Sequence, residues 1–327
     1  MNTDSPACDE VVVATDGSAD ADLAIDWAAQ EAATRTAPLR ILTAYPYGDA
    51  ASDEPGAASQ ARQIVDSAAA RVRQGFPGLS IRTEVAQGDP RRLLEASQDG
   101  AAVVVLGSRG RNALRTVWLG SVSYWATRHL EVPAVIVRPL PGAQRVASRN
   151  LVVGVDVGDS GVALSTAFAM AARRNASVTV AHGWWDVVDQ GTPWHPVDPS
   201  GVDAGQRQML DDLLAPIVAE YPNVPFAIVF ARGNVVAFLL DLARTHEALV
   251  IGRKRVAPFD SLGLGTVATS VVEHAFGVTV VVPMSERILR GEEHGHDVFV
   301  TAQERLWVGG PVDSDDRTQL ANQGTPH

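Results

Sequence analysis

A chain of 327 residues, 46% of them hydrophobic, is long enough for two ordinary domains with a buried core each. A formal net charge of −11 at pH 7 excludes a broad cationic footprint for nucleic acid or an anionic membrane surface, so any anion site must be local. Cys8, the one cysteine, excludes an internal disulfide and suggests a reducing compartment.

The first ten residues, MNTDSPACDE, lack the basic-then-apolar pattern of a secretion signal, and apolar runs such as residues 101–106 are far shorter than a bilayer span. The expectation is a soluble, cytoplasmic protein. A first strand over residues 11–14 ends near Asp16, and Ser18 caps a helix whose Leu23, Ala24, Trp27 and Ala28 form an apolar stripe. Residues 39–45 read as a second strand. Ala61, Ile64, Val65, Ala68 and Val72 recur at helical spacing until Gly75 and Pro77 stop the helix. Ile81, Thr83 and Val85 alternate as a third strand, and Asp89 caps a short helix with Pro90 at its first position and Leu93 and Leu94 within it. The continuous apolar run 102–106 fits a strand buried on both faces. A last helix opens at Gly120-Ser121, carrying Val122, Ala126 and Leu130, and Pro133 to Pro139 reads as a fifth strand.

The pattern then repeats. VVVATDGS from Val11 is matched by LVVGVDVGDS from Leu151, with Asp16 and Asp156 standing 140 positions apart (156 − 16). Ser160 takes the capping position before Leu164, Phe168 and Ala171, residues 178–184 match 39–45, and Asn234 caps the short helix. Gly265-Thr266 matches Gly120-Ser121, and Val278 to Pro283 closes the copy. Alternation of strand and helix, twice over, predicts an α/β fold: two tandem doubly wound, Rossmann-like domains with parallel sheets and right-handed crossovers. The expected boundaries are 9–140 and 149–284, followed by an extension, 285–327, whose end is expected to be disordered.

In the first copy the glycines fall as Gly107, Gly110 and Gly120, with nine residues between the last two. Gly107 follows a buried strand and Gly120-Ser121 precedes a helix, which puts the frame at the carboxyl edge of the sheet, where doubly wound folds bind ligands. Glycines admit an anion close to backbone N–H groups, and a helix start adds unsatisfied donors and its dipole. Arg109, Arg111 and Arg115 concentrate positive charge there, and Asp16 is placed to accept hydrogen bonds from a ribose or base. Each of these features also has a plain structural reading, as turn, cap or solvated loop; their convergence on one edge favours a nucleotide without choosing which.

The frame Gly107-x2-Gly110-x9-Gly120-Ser121, with Asp16 closing the first strand, resembles the ATP-binding signature of the universal stress protein family. The resemblance implies five-stranded parallel sheets in the order 3-2-1-4-5, ATP accompanied by Mg²⁺, and a role in stress survival, dormancy or growth control. It implies adenine near Asp16 and Ala44, and ribose and phosphates on Gly107, Ser108, Arg109, Gly110, Gly120, Ser121, Val122 and Ser123; Ala14 and Arg111 are further candidates for the site. It also implies antiparallel pairing of the two closing strands, an internal pseudo-dimer, with a homodimer as a further possibility. Ala14 departs mildly, standing where many relatives have glycine. In the second copy the counterparts are Gly154, Asp156, Gly183, Gly252, Arg253, Arg255, Gly265, Thr266 and Val267, but Arg253-Lys254-Arg255 replaces the x-x-Gly step. If the second glycine needs a conformation closed to other residues, Arg255 distorts the loop and weakens the second site; three cations binding phosphate through side chains is the opposing reading.

Trp184, Trp185, Trp194 and His195 are read as covering the edge of a core, with stacking on a base or a lid over the second site as the alternatives. The Glu292–Asp297 stretch has metal-type ligands but no closed coordination frame, and no metal site is expected. The nucleotide edge lacks a base for Ser121 or Ser123, and His129 lies far along its helix, so no catalytic residue is expected. A slow ATP hydrolase or adenylyl-transferring enzyme, and a scaffold with a vestigial site, are the alternatives to a nucleotide-dependent regulator.

Overall fold

The computed structural model describes residues 10–46, 56–110, 119–141, 149–156, 160–184, 193–253 and 265–283. Cys8, Arg111, Arg115, Trp185, Lys254, Arg255 and everything after residue 283 lie outside them.

The first half runs β1 (Glu10–Ala14), α1 (Ala19–Arg35), β2 (Leu39–Tyr45), α2 (Gly56–Gly75), β3 (Ile81–Gln87), α3 (Pro90–Ser97), β4 (Ala101–Gly107), α4 (Ser121–His129) and β5 (Ala134–Arg138). The second runs β6 (Leu151–Val155), α5 (Gly161–Arg174), β7 (Val178–Trp184), β8 (His195–Val197), α6 (Ala204–Glu220), β9 (Phe226–Arg232), α7 (Val235–Thr245), β10 (Ala248–Arg253), α8 (Thr266–His274) and β11 (Gly277–Pro283). Among the described residues all eleven strands join one sheet in the order β3-β2-β1-β4-β5-β11-β10-β6-β7-β9-β8. Each half therefore keeps the order 3-2-1-4-5 with parallel neighbours. The halves meet where β5 and β11 pair antiparallel, with Val137 opposite Val278 and Val135 opposite Val280.

The continuous apolar strands follow from burial on both faces. Val11 and Val13 of β1 pack with α1, α2, α5 and α6 in one core, while Val12 packs with Leu94, Ala126, Phe238 and Val271 in the other, beneath α3, α4, α7 and α8. Alternation along one strand thus feeds two layers of helices.

Capping chemistry sets most helix starts. Ser18 accepts from the Ala21 N–H at 3.3 Å, Asp89 from that of Arg91 at 2.9 Å and Asn234 from that of Ala237 at 3.0 Å. Ser160 corrects its expectation: its hydroxyl turns back, accepting from Asp156 N–H at 2.8 Å and donating to Asp156 C=O at 2.9 Å, and makes no cap bond to α5. The stripe on α1 is also shifted. Leu23 is 39% exposed, and the buried face is Ala21, Ala24, Ile25, Ala28, Ala29 and Ala32. An alanine-rich helix approaches the sheet most closely on its small residues, which turns the larger Leu23 outward.

The short strand β8 is unforeseen. It pairs antiparallel with β9 and covers an edge that the first half leaves at β3. Next to it, Trp194 packs on Phe238 at 5.1 Å between ring centroids and donates its indole N–H to Asp241 at 2.8 Å.

Candidate functional site

In the first half the glycine loop is bound to the start of α1. Ser108, fully buried, donates its hydroxyl to Asp20 Oδ2 at 2.6 Å, and Arg109 Nε donates to the same oxygen at 3.2 Å. Ser18 Oγ donates to the Arg109 carbonyl at 3.3 Å. Gly120 N–H donates to Ser108 C=O at 2.7 Å, Ser108 N–H to Val137 C=O at 3.0 Å, and Ser123 Oγ to Gly107 C=O at 2.7 Å. The hydroxyls of Ser108 and Ser123 and the Gly120 amide therefore hold the loop's shape. Sequence reasoning does not single out Asp20 for this role; an acid in the first turn of a helix is commonplace, and its partner lies 88 residues away.

The glycines have separate reasons. A Cβ on Gly107 would stand 2.7 Å from the Asp20 carbonyl carbon, so β4 and α1 approach as only glycine permits. A Cβ on Gly110 would stand 2.7 Å from Asp16 Oδ2. Gly110 does not adopt a left-handed conformation; what a side chain there would meet is the Asp16 carboxylate, which would have to shift. Asp16 itself accepts from Ser18 N–H at 3.0 Å.

A first cavity, of about 530 Å³, lies between the ends of β2 and β3, lined by Ala44, Ala86, Gln87, Gly88, Asp89, Arg92 and Leu93. Of the first-half candidates it touches Ala44; Ala14, partly buried, packs in the core below α3 and α4, as does Val122. Ser121 opens α4, which has no side-chain cap.

The second half gathers its candidates in one place. A cavity of about 520 Å³ is lined by Gly154, Asp156, Gly183, Gly252, Gly265, Thr266 and Val267, together with Ser160, His182, Trp184, Gln206, Val235 and Leu239. Trp184 packs against the edge of the core, as expected, and also stands in the wall of this cavity. His182, 4% exposed, lies with Nδ1 at 3.1 Å from the Val155 carbonyl. A carbonyl only accepts, so Nδ1 is the protonated nitrogen; Nε2 has no partner among the described residues. Arg253, expected among the phosphate-binding cations, points elsewhere: its guanidinium is buried and donates to the Thr127 and Leu130 carbonyls at 3.4 and 2.8 Å. The first cavity's wall carries one legible signal: Gly88-Asp89 there and Gly233-Asn234, just before Val235 in the second cavity's wall, repeat at the same offset as Gly120 and Gly265, each a positive-φ glycine before a capping residue.

Among the described residues no group of three or more His, Cys, Asp or Glu is placed to hold a metal, and no helix is long and apolar enough to cross a membrane. Arg138, at the end of β5, is the strongly shifted group near the site: burial, reinforced by the charge of Arg109, lowers its pKa to about 10, against the opposing pull of Asp20 and Glu273. It stays protonated at neutral pH.

Comparison with known proteins follows the same division. The model of the universal stress protein family matches twice, over residues 8–138 and 147–283. A universal stress protein of Mycobacterium tuberculosis is 29% identical over 297 residues, covering 83% of this chain and 94% of its own. One from Mycolicibacterium smegmatis is 28% identical over 291 residues, covering 83% and 96%. Among solved structures, a universal stress protein from Archaeoglobus fulgidus superposes with a TM-score of 0.62 at 14% identity, covering 86% of this chain and 98% of its own. A functionally unknown protein from Pseudomonas aeruginosa gives 0.61 at 16% identity, covering 86% and 94%. At such identities the superpositions establish the fold.

Proposed function

The chain belongs to the universal stress protein family, and on that premise we propose that it binds ATP or a related adenine nucleotide at the carboxyl edge of its sheet and uses occupancy as a regulatory signal. The observation that carries this reading is the second-half cavity of about 520 Å³, in which seven residues of the repeated frame meet, a size suited to a nucleotide. Among the described residues a Cβ on Gly265 would meet nothing within 4 Å, which leaves space where phosphates would lie. Among the described residues the two helices opening on the frame, α4 and α8, have no side-chain cap, as α5 has none, whereas Ser18, Asp89, Asp203 and Asn234 cap theirs. Their first-turn N–H groups are suited to an anion.

In this reading adenine lies beside Ala14, Asp16 and Ala44 in the first half and Gly154, Asp156 and Gly183 in the second. Phosphates take Gly107 through Arg111 with Gly120 through Ser123, and Gly252 with Gly265 through Val267. Mg²⁺ accompanies the phosphates as their counter-ion. No nucleophile–base pair is assigned, and the nucleotide is a ligand, not a substrate. The test is acid release and mass analysis of what copurifies with the full chain, followed by a single-turnover incubation with labelled ATP. Intact ATP at or above one equivalent supports the reading. An empty chain that also shows no calorimetric affinity sinks it, and stoichiometric ADP or AMP replaces it with a hydrolase or transferase.

A further inference from the structure

Two buried arginines cross the boundary between the halves, and each ends on the helix that opens the other half's candidate site. Arg138, the last residue of β5, donates through Nη1 to the carbonyls of Glu273 and Ala275 at 2.8 and 2.7 Å and through Nη2 to that of Val272 at 3.4 Å. These carbonyls end α8, whose first turn, Thr266 to Ala268, lines the second-half cavity. Arg253, the last residue of β10, donates to Leu130 and Thr127 at the end of α4. The first turn of α4 follows Gly120, in the first-half frame. Both arginines are 6% exposed.

The last carbonyls of a helix have no partner within it and carry the negative end of its dipole, so a buried guanidinium answers both needs at once. The central pairing makes the crossing possible. With β5 antiparallel to β11, and β11 beside β10, the end of each arginine's strand lies beneath the far end of the other half's helix. Each helix has nine residues, a rigid lever of about 13 Å, so a shift where the arginine holds it is carried to the turn that faces the site.

We propose that Arg138 and Arg253 are positioning residues acting between halves: Arg138 sets α8 for the second site, and Arg253 sets α4 for the first. The inference rests on the nucleotide reading above, and it runs against simple proximity. Arg253 directly follows Gly252 of the second frame, yet the site it serves is the first.

The full chain is photolabelled with an azido-adenine analogue of ATP in magnesium buffer, and peptide mapping gives a half-saturating concentration for each half. R253Q is expected to raise that concentration about five- to tenfold in the first half and less than twofold in the second; R138Q is expected to do the reverse. R253K and R138K, which keep the charge but lose the forked donor, fall between wild type and the glutamine variants on the same crossed pattern. Equal weakening of both halves, which loosened packing would give, overturns the inference, as does weakening confined to the variant's own half. If a glutamine variant fails to melt cooperatively, the lysine variant is judged by the same criteria. If only one half labels in the wild type, the other half's arginine must still weaken it and its own must not. Failure of the wild type to label in either half refutes the nucleotide reading itself.

Discussion

Gly107 and Asp20 approach so closely that a Cβ on the glycine would lie 2.7 Å from the aspartate's carbonyl carbon and 2.8 Å from its carbonyl oxygen. Both atoms are backbone in the first turn of α1, and neither can give way without moving the helix. The same aspartate's carboxylate holds Ser108 and Arg109. One residue thus fixes the packing distance of strand and helix and the shape of the loop beyond them.

Gly107→Ala is therefore expected to destabilise the nucleotide-free chain by about 1–3 kcal/mol, the usual range for overpacking a tight contact. Gly120→Ala is the control, since its nearest contact would be Ser108 C=O at an ordinary 3.4 Å, and less than about 1 kcal/mol is expected for alanine at this capping position. Urea unfolding of both variants decides it. A Gly107→Ala chain as stable as its parent would show that β4 and α1 have room for a methyl group between them.

The boundary between halves carries a second buried charge cluster. Glu31 of α1 is 1% exposed and meets Arg174 and Arg173 of α5 and, at 2.5 Å, Arg35 of its own helix. Burial by itself would raise its pKa, but the charges of Arg174, Arg35 and Arg173 outweigh it and leave the carboxyl below its ordinary 4.5. A depressed carboxylate contributes stability that is fully present above the ordinary pKa and is lost as pH falls through the folded value. Glu31→Gln is expected to cost about 3 kcal/mol at pH 7, the low end for breaking a buried ion pair, because it removes the carboxylate facing Arg35 and Arg173 while Arg174 keeps Glu247 at 3.2 Å. The gap between wild type and variant in urea midpoints should narrow as pH falls below about 4.5, in the range of the ordinary carboxyl pKa. A gap that stays constant from about pH 7 to about pH 3, a span that crosses the carboxyl range, would assign the loss to packing instead of charge.

What is legible in advance is whatever is local and periodic. Runs such as Val11 to Val13 and Val103 to Leu106 are apolar because both their faces are covered, and the doubled frame shows the repeat in the architecture. The stripe on α1 escapes such reading because alanines satisfy several helical registers equally. The three-residue β8, with a proline at its centre, has no period to detect. Arg253 goes to Thr127 and Leu130, more than 120 residues earlier in the chain, and nothing local announces that destination. A basic residue beside a glycine frame looks the same in sequence whether it faces phosphate or a helix end. Gly110 stands in the expected place, and its backbone conformation does not require glycine; a side chain there would have to displace the Asp16 carboxylate.

Gly265 offers the cleanest separation of fold from ligand. It precedes α8 at φ −59° and ψ 155°, a conformation open to any residue, and among the described residues a Cβ there meets nothing within 4 Å. By contrast a Cβ on Gly154 would press on Leu239 Cδ2 at 3.2 Å, so substitution there confounds packing with binding. Gly265→Ala should thus change stability by less than about 1 kcal/mol. Its methyl would stand at the start of the helix turn that lines the second cavity, where the nucleotide reading places phosphate. The expected outcome is an unchanged urea midpoint, unchanged labelling of the first half, and about a tenfold higher half-saturating nucleotide concentration in the second. Unchanged labelling of both halves in a chain of unchanged stability would mean that phosphate does not sit against Gly265, and the second-half glycines would have to be explained by the ends they give to β10 and α8.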